Sequence, residues 1–159
     1  MMSMSSLDSA KVQSDPLRKR WISACARTDC RQLETLADGL EIDPASFDVI
    51  RSAENGLVMV RARAGGTGRK FNAGEMTVTR CSVRSAAGHV GHGYVAGRDR
   101  THAELAARLD AHFQAMNEEQ VAPIVTELET RIAEKAHSRQ QKSAPTRVEF
   151  FTMVRGEDE

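Results

Sequence analysis

The chain has 159 residues with a hydrophobic fraction of 40%, and its 22 basic side chains balance 22 acidic ones. That length suits one domain with one core. No stretch approaches the roughly 20 consecutive apolar residues that a membrane helix needs. The three cysteines follow no disulfide framework, which indicates reduced thiols in a cytoplasmic protein.

The first residues, MMSMSSLDSAK, place no basic cluster before an apolar block. We therefore expect a disordered tail over residues 1–15 and no secretory signal. A single α+β domain is predicted over residues 16–156, followed by a frayed acidic end at residues 157–159.

Charge is distributed unevenly along the chain. Between Arg51 and Arg100 there are nine basic and three acidic residues, so this segment carries +6 and the remainder −6. Such a basic middle suits an anionic ligand or an acidic partner surface, or it is compensated by acidic helices of the same chain. Both alternatives stay open. Nucleic-acid binding is disfavoured, because Phe71 and Tyr94 are the only aromatic residues of that segment.

Two helices are predicted at the start of the domain. Asp15 and Pro16 form a helix opening, with the aspartate as N-cap and the proline in the first turn. Asp29 with Gln32 marks a second helix. Apolar residues at helical spacing form one stripe on each helix: Leu17, Trp21, Ala24 and Cys25 on the first, and Leu33, Leu36, Ala37 and Leu40 on the second.

The apolar period then changes to two, which predicts strands. Asn55-Gly56 between apolar runs predicts a two-residue hairpin turn, because a type I′ turn needs positive φ at both central residues. That turn would pair Glu54 with Leu57. It would also leave Leu57 and Met59 on a second face that is more apolar than a solvated one.

Strands are also predicted over 75–85 and 90–96, and Thr101 with Glu104 forms a capping box for the next helix. A further helix begins near Asn117, and the stretch HSRQQKSAPT after it is polar and linker-like. The order α-α-β-β-β-β-α-α-β predicts an α+β domain. Its antiparallel sheet has an N-terminal helical pair, two later helices packed on it and a C-terminal strand.

The run GGTG at residues 65–68 raises the question of a phosphate loop. Such a loop leads into a helix whose backbone N–H groups converge on the anion. Here a strand-patterned segment follows, and the Gly-Lys-Ser/Thr order is absent, so we exclude a P-loop. Two interpretations remain: a flexible bend, or a bare backbone that an anion or a partner approaches. The candidate ligand-binding residues are Gly65, Gly66, Thr67, Gly68, Arg61, Arg63 and Arg69.

The stretch VEFFTMV at residues 148–154 is apolar on both faces when drawn as a strand, so we expect cover on both sides. Either it is a central strand of its own sheet, or another chain covers it. The candidate interface residues are Val148, Phe150, Phe151, Met153, Val154, Arg155, Leu57 and Met59.

No complete active site emerges from the sequence. His89 and His92 lie three residues apart on a predicted strand, so their side chains point to opposite faces and cannot bind one metal ion together. Cys25 and Cys30 lack the further ligands of a zinc or iron–sulfur site. We interpret both cysteines as structural thiols, and His102 as a half-buried histidine with satisfied hydrogen bonds. No catalytic residue and no metal ligand is therefore assigned.

Three long stretches together resemble one family, PhnG of the bacterial phosphonate carbon–phosphorus lyase system. They are RSAENGLVMVRARAGGTGRKFNAGEMTVTRC, GYVAGRDRTHAELAARLDA and VEFFTMVRGE. The likeness runs in order from about Trp21 to Gly156. It implies a supporting, non-catalytic subunit of the core complex, present in two copies. The partners that it implies are PhnH, PhnI, PhnJ and PhnL-like subunits.

The resemblance also implies the reaction of the assembled complex. That complex displaces adenine from MgATP and attaches a phosphonate to C1 of ribose, so MgATP is its substrate, and no cofactor is assigned to this chain. The resemblance brings no ligand-contact residues for GGTG. Direct contact of that basic loop with the triphosphate or the phosphonate therefore stays an alternative hypothesis.

Overall fold

The computed structural model describes residues 16–65 and 67–143. Its helices are α1 (Pro16–Arg27), α2 (Cys30–Gly39), α3 (Arg100–Phe113) and α4 (Glu118–Ser143), with a 3-10 turn at Pro44–Ser46. Its strands are β1 (Phe47–Arg63), β2 (Lys70–Ser85) and β3 (Val90–Ala96). This composition confirms the predicted α+β class, with a helical pair before the sheet and two helices after it.

The three described strands form one antiparallel sheet in the order β1-β2-β3. The predicted hairpin turn at Asn55-Gly56 is wrong, because β1 continues through it with Asn55 opposite Thr79 and Gly56 opposite Val78. The two strands predicted on either side of this dipeptide are therefore one long strand. β3 has the predicted bounds, and the predicted C-terminal strand lies outside the described residues.

The core lies between the inner face of the sheet and helices α1 and α3, and it continues between the helices, where Leu33 of α2 and Val121 and Val125 of α4 are buried. All four stripe residues predicted for α1 are buried, which confirms that helical face. Trp21 packs edge-on against Phe113 of α3, with ring centroids 5.7 Å apart. At the contact between α3 and β3, a Cβ added to Gly93 would lie 1.9 Å from the Ala103 carbonyl oxygen. Glycine is therefore what allows helix and strand to approach so closely.

Helix α3 begins at Arg100, one residue before the predicted cap. Asp99 is the N-cap, and its Oδ1 accepts the backbone N–H of His102 at 2.9 Å. The predicted capping box of Thr101 and Glu104 is therefore wrong, since Thr101 already lies within the helix. A carboxylate at this position also interacts favourably with the helix dipole.

Helix α4 packs against α1 on the side away from the sheet. Arg20 donates to both carboxylate oxygens of Glu129 at 3.1 and 2.7 Å, and Lys135 donates to Asp29. The linker predicted over HSRQQKSAPT is wrong as far as Ser143, where α4 ends. Lysine, glutamine and arginine are good helix formers, so a polar composition alone does not end a helix. Among the described residues, no helix is long and apolar enough to cross a membrane.

Candidate functional site

The β1–β2 hairpin extends well beyond the third strand. β3 pairs with β2 only from Val78 to Arg84, so residues 57–63 and 70–77 form a two-stranded ribbon. We call residues 57–77, with the connecting loop, the hairpin arm. An isolated ribbon has little to bury its side chains against, so its surface is available for another molecule.

One face of the hairpin arm is apolar. Val58 lies opposite Met76, and Ala62 lies opposite Phe71. Directly opposite residues of an antiparallel pair share a face, and alternation along β1 adds Val60 to this set. We call these five residues the apolar face.

The other face combines apolar and basic side chains. Leu57 and Met59 alternate along β1 with the residues of the apolar face, and Arg61 and Arg63 follow them toward the tip. Lys70 lies opposite Arg63. This face therefore changes from apolar near the sheet to cationic at the tip.

Large apolar side chains of the hairpin arm are exposed to an unusual degree. They expose between 39% and 63% of their surface, and they are Leu57, Met59, Val60, Phe71 and Met76. Leu57 and Met59 lie on one face of the ribbon, and Val60, Phe71 and Met76 lie on the apolar face. Single exposed apolar residues are normal on a protein surface, but here each face carries neighbouring ones that form an apolar patch. Such patches, rimmed by polar residues, mark surfaces that bind another protein.

The GGTG run connects β1 to β2, and its described residues Gly65, Thr67 and Gly68 lie in the turn of the hairpin arm. Gly65 has φ +58°, in the left-handed region that favours glycine. The Gly68 N–H donates to the Ala64 carbonyl oxygen at 2.8 Å, and Arg63 Nη1 donates to the Gly68 carbonyl oxygen at 3.2 Å. A Cβ on Gly68 would lie 2.5 Å from that Ala64 oxygen, so the turn also needs glycine there.

The tip of the hairpin arm is basic. Arg61, Arg63, Arg69 and Lys70 are exposed, and within residues 16–65 and 67–143 none of them forms an ion pair with a carboxylate. Glu75 is the one acidic residue in the arm sequence, so residues 57–77 carry +3. Uncompensated cations at the end of a projecting ribbon attract an anionic surface or ligand.

We call the helices, β3 and the part of β2 paired with β3 the base of the molecule. A buried carboxylate, Asp110 of α3, joins α1 to β3 within this base. Its Oδ1 accepts from Trp21 Nε1 at 2.8 Å and from Arg18 Nε at 3.1 Å. Its Oδ2 accepts from Arg18 Nη2 at 3.0 Å and from the backbone N–H of His92 at 2.9 Å. Four donors from α1 and β3 satisfy both oxygens, so the group fits a structural role. Asp110 is not among the residues predicted from the sequence, although an aspartate within an apolar helix face indicates a buried hydrogen-bonded group.

His102 and His92 have hydrogen-bond partners within the chain, and Cys25 is buried. His102 Nε2 lies 2.8 Å from the Cys25 carbonyl oxygen, which confirms a half-buried histidine with a partner. Burial, reinforced by the negative charge of Asp110, raises the pKa of the Cys25 thiol to about 12. A thiol with so high a pKa is a poor nucleophile at neutral pH. His92 Nδ1 lies 2.9 Å from the Ser82 hydroxyl.

The structure brings most of the candidate ligand-binding residues together on the hairpin arm. Arg61, Arg63, Gly65, Gly68 and Arg69 all lie within it. Thr67 lies in the same turn. The interface candidates Leu57 and Met59 lie on the face of the hairpin arm that carries Arg61 and Arg63. The candidates that lie outside the described residues are Gly66, Val148, Phe150, Phe151, Met153, Val154 and Arg155.

Comparison with known proteins identifies the family. The model of the family described as phosphonate metabolism protein PhnG matches residues 17–156. The chain belongs to the PhnG family. It is also 39% identical over 156 residues to a protein of Rhizobium meliloti (strain 1021), covering 96% of this chain and 99% of that one. That relative is alpha-D-ribose 1-methylphosphonate 5-triphosphate synthase subunit PhnG. The family predicted from the sequence is therefore confirmed.

Proposed function

We propose that this PhnG-family chain is a subunit of an alpha-D-ribose 1-methylphosphonate 5-triphosphate synthase in phosphonate metabolism. The observation that carries the proposal is the 39% identity to the Rhizobium meliloti subunit, which extends over 99% of that protein. A match along the whole length of both chains supports a shared role in the assembly. A single shared motif would not support this.

The role that fits the described residues is a supporting one. Their buried carboxylate Asp110 is fully engaged in hydrogen bonds, and they contain no group of three histidine, cysteine or acidic side chains arranged to hold a metal ion. The hairpin arm instead offers an apolar ribbon with a cationic tip. We propose that this arm, together with residues 148–155, contacts the other subunits.

The partners in this proposal are PhnH, PhnI, PhnJ and PhnL-like subunits, with two copies of each core subunit in a cytoplasmic complex. An interface of stable size needs about 800 Å² on each partner. A ribbon of two strands with large apolar side chains can supply a substantial part of that area. Its hot spots would be the exposed residues nearest the centre of the contact.

Copurification tests this proposal. The chain is coexpressed with its PhnH, PhnI and PhnJ counterparts, either unsubstituted or as Leu57→Lys. A lysine inside an apolar contact leaves a buried unpaired charge, so we expect at least about a tenfold loss of bound partners. Val49→Lys is the matched control, because Val49 lies on the same strand and is about as exposed as Leu57.

If the unsubstituted chain copurifies with none of these subunits, the proposed assembly is contradicted. If Leu57→Lys binds them as well as Val49→Lys does, the subunit role stands but the hairpin arm is not the contact. Circular dichroism of both variants checks that the fold is intact.

A second candidate function is direct contact of the arm tip with the triphosphate or the phosphonate. The observation that favours it is the group of four exposed basic residues around the glycine turn without an ion-paired carboxylate among the described residues. Arg61→Ala or Arg69→Ala should then lower synthase activity while the complex still assembles. Arg84→Ala, an exposed arginine at the other end of β2, is the control. Normal turnover in both tip variants would remove this candidate.

A further inference from the structure

The hairpin arm has an open backbone edge beside β2. The ladder between β2 and β3 ends where the Gly97 N–H donates to the Thr77 carbonyl oxygen at 2.9 Å. Gly97 then turns the chain away with φ +94° and leads into α3. Within the described residues, the edge of residues 70–76 that continues the line of β3 has no neighbouring strand. An unpaired edge with exposed apolar side chains is a template for adding a strand.

Helix α4 runs toward the same end of the molecule. Arg20 contacts Glu129, and Asp29 farther along contacts Lys135, so α1 and α4 run in parallel. α1 ends beside the start of α3, because the Cys25 carbonyl oxygen contacts His102. The start of α3 in turn directly follows the end of β3.

Measured along the direction of β3, Lys135 therefore lies near the point where the hairpin arm leaves the sheet. From Lys135, α4 continues for eight more residues to Ser143. At 1.5 Å per residue this is about 12 Å in the direction that the arm extends. Residues 144–147 can span up to about 14 Å, enough to return from the end of α4 to the point where the hairpin arm leaves the sheet.

The sequence after this point fits the open edge in length and in pattern. VEFFTMV at residues 148–154 has seven residues, as does the open edge at 70–76. Its aromatic and β-branched residues favour a strand, and both of its faces are apolar. Placed beside β2, it would widen both faces of the arm with apolar side chains.

Charge decides the direction of the added strand. Glu157, Asp158 and Glu159 follow this segment, whereas the arm tip carries Arg69 and Lys70. A strand antiparallel to β2 runs from the base toward the tip and brings the three acidic residues to the basic end. A parallel strand would instead carry them toward the base.

We propose that residues 148–154 of the chain add to the sheet as a fourth strand, antiparallel to β2 beside residues 70–76. The strand continues the line of β3 past the point where Gly97 turns away. Residues 157–159 then lie against the cationic tip of the hairpin arm. The edge is thereby hydrogen-bonded by the same chain, and the two widened faces stay available for partner subunits.

Amide hydrogen exchange of the full chain, resolved by residue with NMR, tests this strand. Successive N–H groups of a strand point to opposite edges, so every second amide in residues 70–76 faces the open side. These amides should be protected, and Thr152→Pro should speed their exchange by about tenfold or more, because proline cannot donate to a ladder. Gly156→Pro, just outside the segment, is the matched control and should leave them protected. Amides of residues 78–84 report whether the base stays folded.

Rapid exchange of the open-edge amides in the unsubstituted chain would overturn the proposal. Protection that increases with protein concentration, together with a dimeric mass, would also overturn it, since the strand would then come from a second copy. The measurement involves no partner subunit, so its outcome is independent of the copurification experiment.

A charge exchange tests the direction of the strand and covers the case that Thr152→Pro unfolds the chain. Reversing Glu157, Asp158 and Glu159 to lysine should speed exchange at residues 70–76. Adding Arg69→Glu and Lys70→Glu should restore protection, because the complementary pairing returns. The same reversal of three exposed acids of α4, Glu118, Glu119 and Glu134, is the control. Failure of the compensating substitutions to restore protection would refute the antiparallel placement.

Discussion

The sheet has two parts that share strands but differ in what covers them. At its base, β3 and the adjoining part of β2 lie under α3, and glycines let helix and strand backbones meet. In the hairpin arm, the same β2 and β1 carry apolar side chains that are half-exposed. Apolar periodicity is alike in both parts, so hydrophobic pattern alone does not distinguish a core from a binding surface. The difference is that helices of the same chain cover the apolar side chains at the base, where Asp110 also binds donors from α1 and β3.

The strongest test of this difference is Asp110→Ala at the base. The substitution leaves the buried Trp21 Nε1–H and the part-buried His92 N–H without their acceptor. It also removes the carboxylate that pairs with Arg18, whose Nη2 donates to the Val90 carbonyl oxygen as well. Breaking a buried, hydrogen-bonded pair costs about 3–5 kcal/mol, and partial exposure of Arg18 favours the lower end. Urea denaturation measures the loss in free energy of unfolding.

Glu129→Ala is the matched control for this substitution. It removes the carboxylate bound by Arg20, also from α1, but on the surface. Its effect should be far smaller, because exposed ion pairs contribute little. Equal effects of the two substitutions would mean that Asp110 does not hold the base together.

A loss of similar size is expected for Gly93→Ala. The added methyl group would lie 1.9 Å from the Ala103 carbonyl oxygen and 2.8 Å from its carbon, and backbone atoms of a helix cannot move aside alone. We expect a loss of about 3 kcal/mol, the upper end of the usual cost of overpacking. Gly56→Ala is the control near the arm, since nothing lies within 4 Å of its added Cβ. A stable Gly93→Ala protein would mean that α3 can move off the sheet.

The base should also show a pH dependence that comes from Cys25. Its thiol has a pKa raised to about 12 by burial, against 9.0 as its ordinary value. The contribution of the neutral thiol to the free energy of unfolding is therefore fully present below pH 9. It is lost as the pH rises toward 12, by at most about 1.4 kcal/mol per pH unit. The stability advantage over Cys25→Ala should shrink between pH 9 and 10.5 in urea titrations. Parallel curves for the two proteins would contradict this.

The sequence predicts those parts of the fold that depend on local pattern. The α1 stripe and β3 follow from helical and alternating periodicity. The Asn55-Gly56 turn was wrong because a local turn signal competes with pairing to β2, which lies 24 residues away at Asn55–Thr79. A strand accepts Gly56 when its backbone bonds are satisfied by a neighbour, and the actual turn is the glycine run.

Of the candidate site, the sequence predicts the residues but not their surroundings. Strand alternation places Leu57 and Met59 on a face more apolar than a solvated one, and nearness to the glycine run selects the arginines of the tip. These residues form one projecting ribbon because β3 pairs with β2 no farther than Val78, and this register is not evident from the sequence. Asp110 was missed because its four donors come from distant parts of the chain.

The smallest effect on stability is expected in the exposed hairpin arm, for Leu57→Ala in the isolated chain. Leu57 is more than half exposed, so removing its side chain should change the free energy of unfolding by less than about 0.5 kcal/mol. Leu109→Ala, with the same chemistry at a fully buried site, should cost about 2–5 kcal/mol. Urea denaturation of both variants checks the contrast. If Leu57→Ala destabilises the chain as much as Leu109→Ala, the arm is part of the chain's own core, and its apolar side chains are not held for a partner.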